Sequence, residues 1–201
     1  MSLRTCFYAP TNVFFQKILA YFVKPPARIL DLTYGEGHSW EGFQHNTLLG
    51  AYEVVKMDIR RLPGIDVQAD CRSLPFRDSY FDCAYFDPPF FVKEGKGKRA
   101  RGTMLSAEDE VSWTHEEYRE ALEALKHEIP RVLKPGGVLI FKIMDEYVGH
   151  KFYPNHFIGY EALCGAMTPV AHFMCPLTRK GMPGLIVSNV IHYLVFRRRL
   201  I

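Results

Sequence analysis

Cysteine is scarce in this chain of 201 residues, and the five present (Cys6, Cys71, Cys83, Cys164, Cys175) are odd in number and widely spaced. A disulfide framework is therefore not expected, and the lack of any Cys-x-x-Cys pair gives no opening for a zinc site of that type. No metal ligands are assigned from the sequence. Reduced thiols fit a cytosolic setting. Apolar runs are short as well. None approaches the roughly 20 residues needed to span a bilayer, and the N-terminus has neither the basic start nor the apolar core of a signal peptide. The expectation is a cytoplasmic protein with no membrane partner. Internal repeats of 20 to 50 residues are also missing, which excludes solenoids and propellers.

What is present is the composition of a globular protein, 48% hydrophobic and 23% charged, on a chain short enough for residues 1–201 to form a single domain. The net charge of +3 says little by itself, but its distribution is uneven. Lys93, Lys96, Lys98, Arg99 and Arg101 stand against Glu94 alone between Phe91 and Thr103, so this segment carries +4 and the remainder is slightly acidic. Three glycines (Gly95, Gly97, Gly102) lie within it. Residues 91–113 thus read as a basic, mobile insertion suited to a phosphate backbone.

Punctuation along the chain separates alternating strand and helix signals. Asn12 to Val23 has helical apolar spacing and stops before Pro25-Pro26. Strands are expected over Arg28–Leu32, Ala51–Met57, Ile65–Ala69, Phe81–Phe86 and Val138–Ile143, with two further strand-like runs at Val170–Cys175 and Ile186–Phe196. Between them a helix is expected over Ser39–Asn46 and another around Asn155–Met167. The clearest helix is Thr114–Leu133, where Thr114 and Glu117 form a capping box and Lys134-Pro135-Gly136-Gly137 reads as the stop. Such alternation predicts an α/β protein, a mainly parallel sheet with helices on both faces.

Acidic residues recur at or just past four successive strand ends: Asp31, Asp58, Asp70 and Asp87. In a parallel sheet these positions share one rim, the rim where ligands bind. The turn after the first strand, Asp31-Leu32-Thr33-Tyr34-Gly35-Glu36-Gly37, brings two glycines to the crossing where backbone must approach a ligand closely. The third glycine of the dinucleotide fingerprint is missing, because Trp40 occupies its place. That argues against a pyrophosphate and for a different adenosine cofactor. Asp58 is placed to accept from ribose hydroxyls, and Asp70, at the close of the third strand, to accept from an adenine amino group.

The segments ILDLTYGEG, KMDIR, DVQADCRSLPF and RVLKPGGVLIFKI resemble, in order and spacing, the motifs of the class I S-adenosylmethionine-dependent methyltransferases. The resemblance implies a Rossmann-like, seven-stranded fold and S-adenosyl-L-methionine as cofactor. It sets Asp31, Thr33, Gly35 and Gly37 beside the methionine part, Asp58 on the ribose, and Asp70 and Cys71 at the adenine. Near the start, YAPTNVFFQKIL is similar to the N-terminal motif beside the cofactor's methionine end, with Tyr8, Pro10 and Thr11 as the matching positions.

Asp87-Pro88-Pro89-Phe90 resembles the (Asp/Asn)-Pro-Pro-(Tyr/Phe) motif of amino-group methyltransferases, chiefly the N6-adenine and N4-cytosine DNA enzymes. The residue types suit the chemistry. A base amino nitrogen is a poor nucleophile because its lone pair is conjugated with the ring. The Asp87 carboxylate and the Pro88 carbonyl, stiffened by Pro89, can accept its two N–H bonds and favour a pyramidal nitrogen. Phe90 can stack on the extruded base, a contact worth ~1–3 kcal/mol. The segment after the fifth strand and SNVIHYLVFRR extend the similarity to the DNA enzymes. The implied activity is methyl transfer to an amino nitrogen of DNA, adenine N6 ahead of cytosine N4; RNA amino groups and protein lysine are the alternatives. Since no separate target-recognition region is visible, a second chain or a homodimer is a candidate partner for sequence recognition.

Overall fold

The computed structural model describes residues 3–43, 51–89, 113–148, 151–177 and 190–200. The elements are α1 (Thr11–Phe22), β1 (Ala27–Asp31), β2 (Tyr52–Asp58), β3 (Val67–Gln68), β4 (Phe81–Phe86), α2 (His115–Val132), β5 (Leu133–Met144), β6 (Glu146–Val148), β7 (Lys151–Tyr153), α3 (Asn155–Cys164), β8 (Thr168–Pro176) and β9 (Val190–Arg197). Strands β6 and β7 form a separate hairpin. The other seven make one sheet in the order β3-β2-β1-β4-β5-β9-β8. From β3 to β5 all neighbours are parallel, and β9 alone runs against both β5 and β8.

Alternation along the strands feeds two cores. Cys83 and Tyr85 of β4 face α1 and pack with Phe14, Phe15, Ile18 and Ile140, while Ala84 and Phe86 face α2 and α3 and pack with Tyr118, Leu122, Phe141 and Leu163. Helix α2 shows how sequence sets this arrangement. Thr114 accepts the Glu117 N–H and Glu117 accepts the Thr114 N–H, closing the expected capping box, and Tyr118, Ala121, Leu122, Leu125, Ile129 and Val132 line the buried stripe. Among the described residues no helix is long and apolar enough to cross a membrane.

Three expectations are corrected. After the glycine turn the described chain forms only a 3-10 turn, His38–Trp40, because Gly37 and Gly42 both sit at positive φ (79° and 73°) and interrupt helical geometry. Residues 44–46 of that expected helix lie outside the described residues. Strand β3 is two residues long rather than Ile65–Ala69. The Lys134-Pro135-Gly136-Gly137 segment is part of β5 rather than a stop after the helix: pairing with β4 slips between Phe81 and Cys83, and Gly136 turns the chain at φ 76°. A Cβ on Gly137 would lie 2.8 Å from the Lys134 carbonyl oxygen, so this bulge needs glycine there. The expected last strand begins at Val190, with 186–189 outside the described residues.

Candidate active site

The sheet order reverses between β1 and β4, and at such a point the two outgoing chain segments part and leave a crevice. A cleft of about 360 Å³ lies there. Asp31, Thr33, Gly35, Asp58, Asp70 and Cys71 line it on one side, and Asp87, Pro88 and Pro89 on the other. Residues drawn from four strand ends are thus brought into one site. Gly37, Tyr8 and Pro10 do not line it, although Thr11 does. Tyr8 is largely exposed, and Pro10 instead caps α1. Phe90 and the basic residues Lys93, Lys96, Lys98, Arg99 and Arg101 lie outside the described residues.

The glycine turn is fastened at each end. Asp31, buried at the end of β1, accepts the Thr33 N–H at 3.1 Å and the Trp40 indole N–H at 2.6 Å. Burial pushes its carboxyl up to about 7, against the pull of those two donors. The Gly35 N–H is donated to Asp58 Oδ2 at 2.9 Å. Gly37 cannot be replaced without movement, since a Cβ there would come within 2.5 Å of the Tyr34 hydroxyl.

Asp58 and Asp70 share a local device. The Arg60 backbone N–H and Nε both reach Asp58 Oδ1, at 2.9 and 3.1 Å, and Arg60 Nη2 reaches Oδ2 at 3.3 Å. Arg72 does the same to Asp70, with Nη2 2.6 Å from Oδ2, and holds that carboxyl below its usual range. Each is an Asp-x-Arg turn closing on itself. Cys71 between them is buried; burial, then the charge of Asp70, push its thiol up to about 12, which makes it a wall rather than a nucleophile.

Asp87 is held differently. Lys142, near the end of β5, places Nζ 2.6 Å from Asp87 Oδ2. The Tyr85 hydroxyl donates to the same oxygen at 3.2 Å and Ser39 Oγ at 3.4 Å, while Asp87 N–H donates to Thr33 Oγ1 at 2.9 Å. Three groups therefore converge on one carboxylate oxygen, and Oδ1 takes no hydrogen bond from any described residue. Burial, then the charge of Asp87, raise Tyr85 well above the ordinary phenol range, so it remains a donor.

Sequence reasoning missed Lys142, Tyr85, Ser39, Arg60 and Arg72. Lys142 carries a readable signal: a lone cation inside the apolar run Val138–Met144, on the same face of the strand as Ile140, has to be matched by a buried anion. Tyr85 likewise lies two positions before Asp87 and so on its face. Ser39 has no such signal.

No protein-family model matches the chain, and no curated protein matches it in sequence. Solved structures do match in fold. The 1,6-didemethyltoxoflavin-N1-methyltransferase of Burkholderia thailandensis, solved with 1,6-didemethyltoxoflavin and S-adenosylhomocysteine, is similar with a TM-score of 0.57 at 16% identity, over 92% of this chain and 76% of its own. A putative sarcosine dimethylglycine methyltransferase from Galdieria sulphuraria gives 0.60 at 13% identity, over 94% and 85%. The [4+2]-cyclase SpnF gives 0.60 at 14% identity, over 94% and 82%. Because a cyclase shares it, this backbone alone does not dictate the reaction. What the likenesses show is the architecture: the chain has the Rossmann-like fold of the class I methyltransferases.

Proposed function

We propose that this protein is an S-adenosylmethionine-dependent methyltransferase acting on an exocyclic amino nitrogen of a DNA base, adenine N6 ahead of cytosine N4. The observation that carries the reading is Asp87: a carboxylate at the switch point, gripped on one oxygen by Lys142, Tyr85 and Ser39, with Oδ1 left to accept. The residues of the cleft fit the cofactor. Asp58 and Asp70 are acceptors of the kind that ribose hydroxyls and an adenine amino group require. Leu32, Ile59, Ala69 and Cys71 add apolar wall for a purine ring, and Gly35 admits close backbone approach. When bound, the cofactor supplies an activated methyl group on a sulfonium.

The chain's own residues then have three tasks. Asp87 Oδ1 accepts an N–H of the substrate amino group, orients its lone pair, and is the nearest base for the proton the nitrogen sheds. Lys142 holds that carboxylate in place, so little reorganisation is needed as charge develops. Most of the barrier is lowered by holding the reacting atoms in line. The motif assigns Phe90 to stacking on the base, and the basic segment from Lys93 to Arg101 to the phosphate backbone.

The test is transfer of labelled methyl from S-adenosylmethionine to DNA, RNA and protein fractions, with nucleoside digestion of the product. Label in an N-methylated deoxynucleoside, lost in Asp87→Ala, is the expected result. Label confined to RNA or to lysine would move the reading to those substrates. No transfer together with no calorimetric binding of S-adenosylhomocysteine would reject it.

A further inference from the structure

Away from the cleft, four side chains from four elements converge on the α2/α3 face of the sheet. Asp145 follows β5, His156 lies in the first turn of α3, His172 is on β8, and His192 is on β9 opposite Ile143, a residue of the α2/α3 core. His156 Nδ1 is 2.7 and 2.8 Å from the two Asp145 oxygens, and His192 Nε2 is 3.7 Å from Asp145 Oδ2. One donor atom from each of Asp145, His156 and His192 lies within 4.8 Å of the other two. Asp145 and His192 are buried, at 7% and 8% exposure, beside an otherwise apolar face carrying Leu194, Phe196 and Phe141. A carboxylate and two imidazoles in such a place are costly to desolvate unless something binds them.

We propose that Asp145, His156 and His192 form a site for one divalent transition-metal ion, with His172 orienting His192. The donor set is of the mixed imidazole and carboxylate kind that zinc takes. Bonds of roughly 2.0–2.2 Å to a tetrahedral ion put neighbouring ligand atoms about 3.3–3.6 Å apart. The Asp145–His192 separation of 3.7 Å is close to that, and the Asp145–His156 contact at 2.7 Å has only to open slightly. The rings of His156 and His192 lie parallel, with centroids 4.1 Å apart, and a ring cannot offer its in-plane lone pair to an ion above its face. Binding therefore turns the His156 ring about χ2, a soft torsion in histidine. Room for the turn is at hand, because His156 borders a cleft of about 420 Å³ shared with His172, Tyr160 and Leu194. An ion would enter from that cleft on the His156 side, since Asp145 and His192 do not line it.

The outer contact has the right polarity. If His192 ligates through Nε2, its Nδ1–H is left to donate, and His172 Nε2 lies 2.9 Å from that nitrogen. A partner on the second ring nitrogen fixes the tautomer of a ligating histidine. Lys142, by contrast, shares the α1 face with Ile140 and Met144, so the ion would brace the end of β5, α3 and β9 rather than touch the reacting atoms.

The experiment uses the full chain, stripped with chelator and titrated with Zn²⁺ by calorimetry and by thermal melting, with Co²⁺ as a spectroscopic substitute. We expect one ion per chain, a melting temperature raised by roughly 5–10 °C at ~100-fold excess over Kd, and visible Co²⁺ bands of tetrahedral type. His156→Ala, whose side chain is partly exposed and outside the apolar core, should abolish all three signals while the fold is retained by circular dichroism. His172→Ala should keep the stoichiometry and weaken affinity ~10–100-fold. Accessible thiols can also take up zinc, so the same titration is run with Cys6→Ser and Cys164→Ser, the two cysteines that are not buried, which should leave stoichiometry and affinity unchanged. Absence of binding in the parent protein, or binding unaltered by His156→Ala, would overturn the proposal and leave a hydrogen-bonded polar cluster only.

Discussion

At the β4 end of the cleft, Asp87 is paired with a lysine from the neighbouring strand, with side chains only 18% and 10% exposed. At the opposite end Asp58 and Asp70, 6% and 31% exposed, are paired with arginines two positions on in their own turns, 31% and 44% exposed. The first pair exists only once β4 and β5 have docked, and three donors over-determine it. The other two need no tertiary structure at all. Low exposure of both partners makes the first pair costly to break, whereas in the local pairs the arginine is open to solvent and can swing away more readily. The Asp87 end is therefore fixed by the fold itself, and the rim can trade arginine for a ligand's hydroxyl or amino group.

The largest effect that would sharpen this contrast is expected from Asp87→Ala, which should lower kcat by about 10²–10³ while leaving calorimetric binding of S-adenosylhomocysteine nearly unchanged. Equal losses in both would show that the two ends are not separable. Lys142→Met comes next. Removing one partner of a buried pair strands the other charge, so urea denaturation should show a loss of about 3 kcal/mol, with kcat falling roughly tenfold and KM little altered.

Asp31 supplies a third, pH-dependent effect. Its folded pKa of about 7 stands above the unfolded value of about 3.9, so between those values the folded state holds more protons than the unfolded one. Its contribution is favourable in acid and is lost as pH rises through 7. Stability should fall by on the order of 2 kcal/mol from pH 5 to pH 8, and Asp31→Asn should flatten that slope. An unchanged slope would mean that another group governs it. The smallest effect is expected at the rim. Arg60→Ala leaves Asp58 with only the Gly35 and residue-60 backbone N–H groups and should tighten S-adenosylhomocysteine binding by about two- to fivefold, the scale of a pair with one solvent-accessible partner. Weaker binding would break the comparison, because Arg60 would then be a ligand contact itself.

How legible each end was in the sequence follows the same division. Elements declared by local pattern were readable: α2 through its capping box, β4 through the apolar run ending at two prolines, and the row of strand-end acids through their spacing. That Lys142 needs a buried anion is readable, but its pairing with Asp87 is not, because nothing local says that β5 lies beside β4 with Phe86 opposite Phe141, the register that brings Lys142 to the acid. The Asp-x-Arg turns are legible too, because each arginine follows its acid by two residues. The Gly136 and Gly137 bulge is not, because Pro-Gly-Gly is the same signal for a stop and for a bulge; the crowding around Gly137 tells them apart. Asp145, His156 and His192 lie too far apart in the chain for any spacing rule to join them.

The reversed direction of β9 has a consequence for how such a molecule could be re-engineered. Because β8 finishes and β9 starts at the end of the sheet where β4 and β5 finish, the segments after Pro89, Asp145 and Leu177 all leave from the same end. The other end is served by short joints, such as Val132 running directly into Leu133 and Cys164 reaching Thr168 within a turn. One end of the barrel-less sheet thus behaves as a chassis and the other as a socket. Because these stretches begin beyond the paired residues of the strands, exchanging them is the way to vary what borders the cleft while leaving every strand as it is.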